Sequence, residues 1–521
     1  MTRQKSDERV VPKGRRKAGR SRGVERREKG KAFTVEQRHG QLTLRLGTTE
    51  KATAKVGALV GEADRGVPRP ATRAGSKPRS TKGRAKSATM EAVVQRLPMA
   101  FEKVASNKGA PGPDRQSIAM VREHWNELLP KLALALLDGS YQPGEIRRVW
   151  IPKAGGEQRG LGIPNVVDRV VQEALREVLE PLYEPTFHEE SHGFRPGKSC
   201  HTAIAAARRH VEEGNEWVVD IDLKKFFDRV HHQRLMARLA QRVSDRRVLA
   251  VILRMLKAKT VMPDGVVVST AEGLPQGGPL SPLLSNIVLD ELDRELHQRG
   301  HHFVRYADDC NIYVCSERAG QRVMVSVVKF IERRLRLEVN ETKSAVARPE
   351  QRHFLGFRLR REPKSGAAGV GLSERSRERI DARIRELTPR WWGQSLKACV
   401  HRLNEYLRGW IAYFGICTEA SALRELDGHI RRRLRVIQLR HWKRRSTMAK
   451  RLIALGAPRP VTLGSIYKGR KSLWALSNMP AMHRGLRNAY FADRGLASLQ
   501  ALWQEHPARV VAPEQLTLHL G

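Results

Sequence analysis

One strand pattern constrains this chain more than any other feature. Residues 217–222, Trp-Val-Val-Asp-Ile-Asp, carry large apolar side chains at every second position. That apolar face must pack inside the protein, and a shift of one residue would bury Asp220 and Asp222 in its place. The pattern therefore predicts a strand whose one face packs and whose opposite face presents two carboxylates.

A second pair of strand patterns carries two more carboxylates. Residues 303–314 predict two short strands joined by a tight turn that contains Asp308 and Asp309. If a sheet pairs these strands with residues 217–222, Asp222 joins Asp308 and Asp309 in a cluster that needs cations to neutralise it. Oxygen ligands without nearby His or Cys select Mg²⁺, and two ions at roughly 3.5–4 Å suit in-line phosphoryl transfer. A lone Asp-Asp pair more commonly belongs to a turn or a helix cap. The motifs around this pair therefore decide whether it is a metal site.

The charge of the chain limits its partners. The 96 Lys and Arg residues against 55 Asp and Glu give a net charge of +41, which favours nucleic acid as partner, with an anionic membrane surface second. Residues 1–88 contribute +17 with few aromatics, and predict a disordered basic tail. The remaining residues keep +24, so the folded part is basic as well.

The cysteines and hydropathy predict where the chain resides. Five cysteines form no C-x-x-C pair, which argues against a zinc module or a secreted disulfide framework. No window approaches eighteen uncharged apolar residues, and the N-terminus is charged where a signal peptide would be apolar. We therefore expect a cytosolic protein with no membrane partner, associated with the nucleoid through its charge.

The order of the elements predicts an α+β fold. Strand patterns are few and are separated by helical ones, which fits a sheet with helices behind it better than a sandwich or a regular βαβ array. Helical periodicity begins near residue 90. A loop after Arg360 precedes a basic, helical second domain from about residue 375, with amphipathic helices over 396–414 and 430–442.

Several motifs together resemble reverse transcriptases, and most closely the endonuclease-lacking bacterial proteins encoded by group II introns. Tyr306-Ala-Asp-Asp309 is similar to the reverse transcriptase signature, and the other motifs follow in the family's order over residues 148–153, 161–164, 191–199, 222–228, 273–281, 340–344 and 354–357. The resemblance covers about residues 90–500. It implies a right-hand polymerase with fingers and palm over 90–365, a helical thumb/maturase (X) domain over 375–500, and tails over 1–88 and 501–521.

The resemblance implies the roles of the acidic residues. Asp222, Asp308 and Asp309 would be catalytic and would hold two Mg²⁺ ions, with Mn²⁺ as a substitute. In the family the metal aspartate lies five residues before an aromatic that excludes the ribose 2′-hydroxyl, and only Asp222 has Phe227 at that distance. We expect Asp220 to lie at the edge of the site or to pair with a basic side chain. The alternative for Phe227 is an ordinary core aromatic.

Four further residues are candidates for nucleotide binding. Lys153 would bind the triphosphate through its ammonium charge, and Arg159 through two parallel hydrogen bonds from its guanidinium. The alternative is that both are ordinary solvated side chains. Gln276 lies in a glycine-rich loop. The resemblance implies that this residue contacts the incoming nucleotide or the template, and the alternative is that the glycines only form a turn. Lys343 resembles the lysine that protonates pyrophosphate, with a surface role as the alternative.

Primer and RNA contacts complete the expected site. Leu355 and Gly356 correspond to the primer grip, and Arg195 and Lys198 are candidates for holding template backbone. The helix after residue 427 would pack against the protein with its apolar face and bind RNA phosphates with its basic face. The alternative is that the basic face is only solvated. Its candidate RNA-binding residues are Arg431, Arg432, Arg433, Arg435, Lys443, Arg444 and Arg445.

The resemblance implies an RNA-directed DNA polymerase, a nucleotidyltransferase. It would bind its group II intron RNA, assist splicing, and copy the intron into DNA during retrohoming. The partners would be intron RNA, a DNA target and primer, and dNTPs. Nothing after Leu496 resembles a His-Asn-His nuclease, so endonuclease activity is not expected. The alternatives are a reverse transcriptase recruited to CRISPR or phage defence, and a maturase that only assists splicing.

Overall fold

The computed structural model describes residues 88–152, 156, 158–362, 365–389, 393–468 and 472–507. The predicted tail over 1–88 lies outside these residues except for Ala88. Lys153 and residues 508–521 of the predicted C-terminal tail also lie outside them.

The described residues contain ten strands in three sheets. The strands are β1 (Ile146–Pro152), β2 (Gln158–Ile163), β3 (Trp217–Asp222), β4 (Thr260–Val261), β5 (Val267–Val268), β6 (His302–Tyr306), β7 (Asp309–Val314), β8 (Ala345–Ala347), β9 (Phe357–Arg361) and β10 (Ala368–Leu372).

Helices account for most of the remaining ordered backbone of the described part. They are α1 (Met90–Ser106), α2 (Ile118–Glu123), α3 (Trp125–Leu137), α4 (Val166–Tyr183), α5 (Cys200–Glu212), α6 (His232–Ala240), α7 (Arg246–Leu256), α8 (Ser281–Gln298), α9 (Glu317–Phe330), α10 (Glu374–Leu387), α11 (Leu396–Phe414), α12 (Ala420–Trp442), α13 (Arg445–Ala454), α14 (Arg459–Tyr467), α15 (Leu473–Leu476), α16 (Pro480–Gly485), α17 (Asn488–Ala492) and α18 (Leu499–Gln504).

The sheet in the predicted palm is antiparallel and has the order β6-β7-β3-β8. Strand β3 has the predicted bounds, and its Val219 and Ile221 are fully buried. Helix α9 packs on this apolar face, because a Cβ on Gly320 would lie 2.5 Å from Val346 and 3.6 Å from Val219. Helices α5 and α8 also pack against the sheet. This arrangement confirms the α+β prediction of a sheet backed by helices.

The predicted fingers contain a second sheet, of order β2-β1-β4-β5. Strands β1 and β2 form an antiparallel hairpin that ends at the pair Pro152 and Gln158, and β1 pairs with β4 in parallel. Helix α1 packs against α4 and α3 through a buried stripe that includes Val93, Leu97 and Phe101. Its start at Met90 agrees with the predicted onset of helical periodicity.

The second domain follows the β9–β10 hairpin and is helical. Its core includes Leu403, Leu407, Leu423, Leu434 and Phe491. Helix α11 has the predicted bounds, whereas α12 begins at residue 420, ten residues before the predicted start. No described helix is long and apolar enough to cross a membrane.

The last described helix crosses the predicted boundary at residue 500. Asp427 in α12 accepts hydrogen bonds from the backbone N–H of Leu499 at 2.9 Å and from the Ser498 hydroxyl at 2.6 Å. Because these bonds anchor α18 to the bundle, the helical domain extends to at least Gln504.

Candidate active site

The palm sheet brings three aspartates together. The register of β3 against β7 places Asp222 directly opposite Asp309. Asp308 lies in the turn between β6 and β7, beside Tyr306, which pairs with Asp309. Residues directly opposite in an antiparallel pair have Cβ atoms about 4.5–5.5 Å apart, so two like charges there repel each other. The predicted carboxylate cluster is therefore present.

Burial and mutual repulsion disfavour ionisation of this cluster. Burial raises the pKa of Asp309 well above its usual value, and the neighbouring Asp220, Asp308 and Asp222 raise it further. Burial also raises the pKa of Asp308, with a contribution from Asp222, while Arg159 opposes the shift. A bound cation would reverse both effects. The donor set consists of carboxylate oxygens, which fits Mg²⁺ or Mn²⁺.

Replacing Asp309 with asparagine is expected to stabilise the metal-free protein at pH 8. A carboxyl whose pKa is raised in the folded state lowers stability as the pH climbs from the unfolded pKa, near 4, toward the folded one. The variant should therefore match the wild type near pH 4 and exceed it at pH 8 by on the order of 1 kcal/mol. Urea unfolding in EDTA at both pH values measures this gain.

The exposed Asp493 in the helical domain offers a matched control. Asp493→Asn removes the same charge outside the cluster and should change stability by less than about 0.5 kcal/mol at either pH. A less stable Asp309→Asn protein at pH 8 in EDTA would contradict mutual repulsion among these carboxylates.

Asp220 lies on the same strand face but pairs with a basic side chain. Its Oδ2 accepts hydrogen bonds from Arg352 Nε at 2.8 Å and from an Arg352 terminal nitrogen at 2.5 Å. The same guanidinium donates to the carbonyl of Lys343 at 2.5 Å. Arg352 therefore connects the strand to the loop at 340–344, and the expected basic partner of Asp220 is identified.

That loop holds Asp222 in place. The Asp222 N–H donates to the Ser344 hydroxyl at 3.0 Å, and the Asn340 N–H donates to the Asp222 carbonyl at 2.8 Å. The Lys343 ammonium lies 4.0 Å from Asp222 Oδ2 and remains largely exposed. The predicted lysine therefore faces the carboxylate cluster.

Two of the predicted nucleotide-binding residues are in contact, although they lie 117 positions apart in the sequence. Arg159 Nε donates to Gln276 Oε1 at 2.9 Å. The Gly162 N–H donates to the Gln276 carbonyl at 2.7 Å, which docks the glycine-rich loop on β2. Gly277 has a φ of +132°, and a Cβ there would lie 2.5 Å from the Gly162 carbonyl oxygen, so the loop requires glycine.

Phe227 lies in a short 3₁₀ turn, Phe226–Asp228, and is 9% exposed. The Leu274 N–H donates to the Phe227 carbonyl at 2.6 Å. Gly273 has a φ of +98°, and a Cβ there would lie 2.9 Å from the same carbonyl oxygen. The turn that carries Phe227 is therefore fixed against the glycine-rich loop.

A buried arginine that the motifs did not single out supports the site. Arg305 in β6 has no exposed surface, and its guanidinium donates to both carboxylate oxygens of Asp293, at 2.6 and 2.5 Å. It also donates to the Ser191 hydroxyl at 2.7 Å and to Asn286 Oδ1 at 3.1 Å. Together these bonds join β6, α8 and the loop before α5.

Arg305 also fixes the turn before Asp308. It donates to the Ala307 carbonyl at 2.8 Å, and Ala307 has a φ of +58°, a conformation that residues other than glycine rarely adopt. A Cβ on Gly193 would lie 2.3 Å from the Ala307 nitrogen, so the backbone at 193 closes on this turn. The turn that contains Asp308 is therefore strained and is held by its surroundings.

The predicted primer grip is anchored by the helical domain. Leu355 and Gly356 both have positive φ, at +51° and +87°. The Tyr413 hydroxyl in α11 donates to the Leu355 carbonyl at 2.9 Å, and the Ser376 hydroxyl in α10 donates to the Gly356 carbonyl at 2.8 Å. The tight turn at 355–356 is therefore held by both helices.

Arg195 is placed differently from the prediction. Its side chain is 7% exposed, and its guanidinium donates to Glu184 at 2.9 Å and to the carbonyls of His188 at 2.5 Å and Ser191 at 2.8 Å. Because the guanidinium is hydrogen-bonded within the protein, Arg195 stabilises the loop that contains His188 and Ser191. It is not placed to hold template backbone. Lys198 is half-buried and donates to the Glu189 carbonyl at 2.9 Å.

Two of the predicted RNA-binding arginines are likewise buried. Arg433 donates to the hydroxyl of Thr388 at 2.5 Å and to its carbonyl at 2.7 Å. Arg435 donates to the Leu486 carbonyl at 3.1 Å, and burial, with Arg431 nearby, lowers its pKa to about 10. Both were wrongly predicted to face RNA, since they hold the helices around α12 together.

The other basic residues of this segment lie nearer to solvent. Lys443 and Arg444 are exposed, and Arg431 is half-buried. Arg432 is half-buried with its guanidinium 4.0 Å from the ring centre of Trp474. Arg445 is half-buried and donates to the Ile466 carbonyl at 3.0 Å. The two most exposed of these basic residues, Lys443 and Arg444, therefore lie directly after the C-terminal end of α12.

The segment that carries the carboxylate cluster matches a known family. The family model "Reverse transcriptase (RNA-dependent DNA polymerase)" matches residues 151–359, which contain all three aspartates. The model "Group II intron, maturase-specific domain" matches residues 377–453. These two segments of the chain are therefore similar to the reverse transcriptase and maturase-specific domains of group II intron proteins.

Known proteins match part of the chain. It is 40% identical to protein YkfC of Escherichia coli (strain K12) over 200 residues, 37% of this chain and 52% of that protein. It is 31% identical to the group II intron-encoded protein LtrA of Lactococcus lactis subsp. cremoris over 329 residues, 50% of this chain and 54% of that protein. The chain thus spans about half the length of these two relatives.

A solved structure, a partial Cas6-RT-Cas1–Cas2 complex, aligns over 47% of this chain and 42% of its own, at 23% identity and a TM-score of 0.31.

Proposed function

We propose that this protein is an RNA-directed DNA polymerase that binds group II intron RNA, assists its splicing and copies it into DNA during retrohoming. The observation that carries the proposal is the register of β3 against β7, which sets Asp222 opposite Asp309 with Asp308 in the adjoining turn. Fingers and palm would occupy residues 90–365 and the thumb/maturase domain residues 375–504.

The carboxylates of Asp222, Asp308 and Asp309 would hold two Mg²⁺ ions, with Mn²⁺ as a substitute. The bound ions would supply Lewis acidity for attack of a primer 3′-hydroxyl on the α-phosphate of a dNTP. Lys343, beside Asp222, would donate a proton to the pyrophosphate that leaves.

The remaining nucleotide contacts come from the fingers and the glycine-rich loop. Arg159 would bind triphosphate oxygens with Lys153, and Gln276, which accepts from Arg159, would contact the nucleotide or template. The turn at Leu355 and Gly356 would support the primer end.

Phe227 would exclude ribonucleotides. Replacing it with alanine removes the ring that would clash with a 2′-hydroxyl, so rNTP incorporation relative to dNTP should rise by about 10- to 100-fold. Single-nucleotide extension with competing dNTP and rNTP measures the ratio. Phe226→Ala, at the neighbouring fully packed ring, is the control, and it should lower activity without changing the ratio. Unchanged discrimination in Phe227→Ala would place the selectivity elsewhere.

Intron RNA would bind to the accessible basic residues of the helical domain. Lys443 and Arg444 are exposed, and Arg431, Arg432 and Arg445 are partly accessible. Phosphate contacts of this kind give salt-dependent affinity. A net charge of +41 also favours association with nucleoid DNA.

Primer extension tests the proposal. Purified protein with an RNA template, an annealed DNA primer, dNTPs and Mg²⁺ should produce cDNA, and should bind its flanking intron RNA more tightly than an unrelated RNA of equal length. Stimulated splicing without cDNA synthesis would favour the splicing-only alternative. Synthesis without any preference for the intron RNA would favour the host-recruited alternative.

A further inference from the structure

A cluster of metal-binding side chains lies on the palm away from the three aspartates. His210 and Glu213 are near the C-terminal end of α5, and His302 is the first residue of β6. One donor atom from each of the three lies within 4.8 Å of the other two. Strand β6 separates His302 from Tyr306, at the catalytic turn, by about 13 Å. The cluster is therefore distinct from the carboxylate site.

The spacing of two of the donors already suits a metal ion. His210 Nδ1 lies 3.1 Å from Glu213 Oε2. Ligands about 2.0–2.1 Å from a tetrahedral Zn²⁺ are separated from one another by roughly 3.3 Å. The third donor, from His302, needs a small side-chain movement to complete this geometry. His302 is exposed, so solvent-facing space is available for that movement.

A carboxylate supports the other side of the buried histidine. His210 Nε2 lies 3.7 Å from Glu190 Oε1, which accepts a hydrogen bond from Arg209 at 2.5 Å. A histidine that binds a metal through one ring nitrogen commonly donates the other N–H to a carboxylate, which fixes the ring and its tautomer. His210 Nε2 is buried without a hydrogen bond, so a slight approach of Glu190 would supply that partner.

We propose that His210, Glu213 and His302 form a structural site for a borderline transition-metal dication such as Zn²⁺. Two imidazoles and one carboxylate favour Zn²⁺ over Mg²⁺, which prefers oxygen ligands alone. Glu213 and His302 are exposed, so the ion has an entry path and water completes its coordination. The ion would link the C-terminal end of α5 to the start of β6, the strand that leads to the turn containing Asp308.

Zinc titration of the full-length, metal-stripped protein tests this proposal. We expect one Zn²⁺ per chain at micromolar concentration, measured by elemental analysis after gel filtration, with a rise in Tm that Mg²⁺ does not produce. Co²⁺ in place of Zn²⁺ should give the visible absorption of a tetrahedral site. His302→Gln and Glu213→Gln should each weaken binding at least roughly tenfold and abolish the Co²⁺ absorption.

The neighbouring histidine provides a matched control. His301→Gln removes an imidazole next to the cluster, and should leave Zn²⁺ stoichiometry and the Co²⁺ spectrum unchanged. Mg²⁺-dependent primer extension by His302→Gln should remain within about twofold of wild type, which shows that the variant is folded. The proposal is overturned if no stoichiometric Zn²⁺ binds, or if binding survives in both His302→Gln and Glu213→Gln. In that case the three side chains form only an ion-paired network.

Discussion

Replacing Asp308 with alanine is expected to lower the rate of cDNA synthesis by about a thousand-fold or more while leaving intron RNA affinity within about twofold of wild type. The carboxylate lies in the turn beside the opposed pair Asp222 and Asp309 and would bind the ions that activate the reacting oxygens. RNA affinity would instead come from basic surfaces, where Lys443 and Arg444 are exposed.

Single-turnover primer extension and filter binding on one preparation separate these two effects. Asp290→Ala is a useful control, since this residue lies on α8 and pairs with Arg294 outside the cluster. It should retain both synthesis and RNA binding. An equal loss of synthesis and RNA affinity in Asp308→Ala would contradict the separation of the two functions.

Replacing Arg305 with methionine is expected to cost roughly 3–5 kcal/mol of stability, because it leaves Asp293 buried without its partner. DNA synthesis should also fall at temperatures where the variant is folded, because the Ala307 carbonyl loses the bond that fixes the turn containing Asp308. Urea unfolding and the kcat of primer extension measure the two effects.

A double variant distinguishes the buried pair from general damage. Adding Asp293→Asn to Arg305→Met removes the unpaired charge and should recover at least about 1 kcal/mol, without restoring kcat. Arg294→Met is the surface control, because its pair with Asp290 is solvent-exposed on the arginine side and should contribute at most about 1 kcal/mol. If Arg305→Met were no more harmful than Arg294→Met, Arg305 would not hold the turn.

Local patterns with strong periodicity could be predicted from the sequence. Strand β3 and helix α11 have the predicted bounds, since each combines a clear period with a buried face. The proximity of Asp222 to Asp308 and Asp309 could also be predicted, because it follows from the pairing of the strands that carry them.

Contacts between distant segments could not be predicted in the same way. The partners of Arg305 include Asp293 and Ser191, which no spacing along the chain relates to it. Arg433 and Arg435 belong to a run of charges that resembles a solvated face, yet the bundle encloses both. Burial of a charge depends on packing around the helix, and sequence charge alone does not reveal it.

Anomalous diffraction from crystals soaked with MnCl₂ and a nonhydrolysable dNTP analogue tests the metal site most directly. We expect two manganese peaks roughly 3.5–4 Å apart, bound by the carboxylates of Asp222, Asp308 and Asp309. A concentration of MnCl₂ that supports DNA synthesis should suffice to fill both positions. Manganese peaks absent from this cluster under those conditions would contradict the assignment of these aspartates as the catalytic metal ligands.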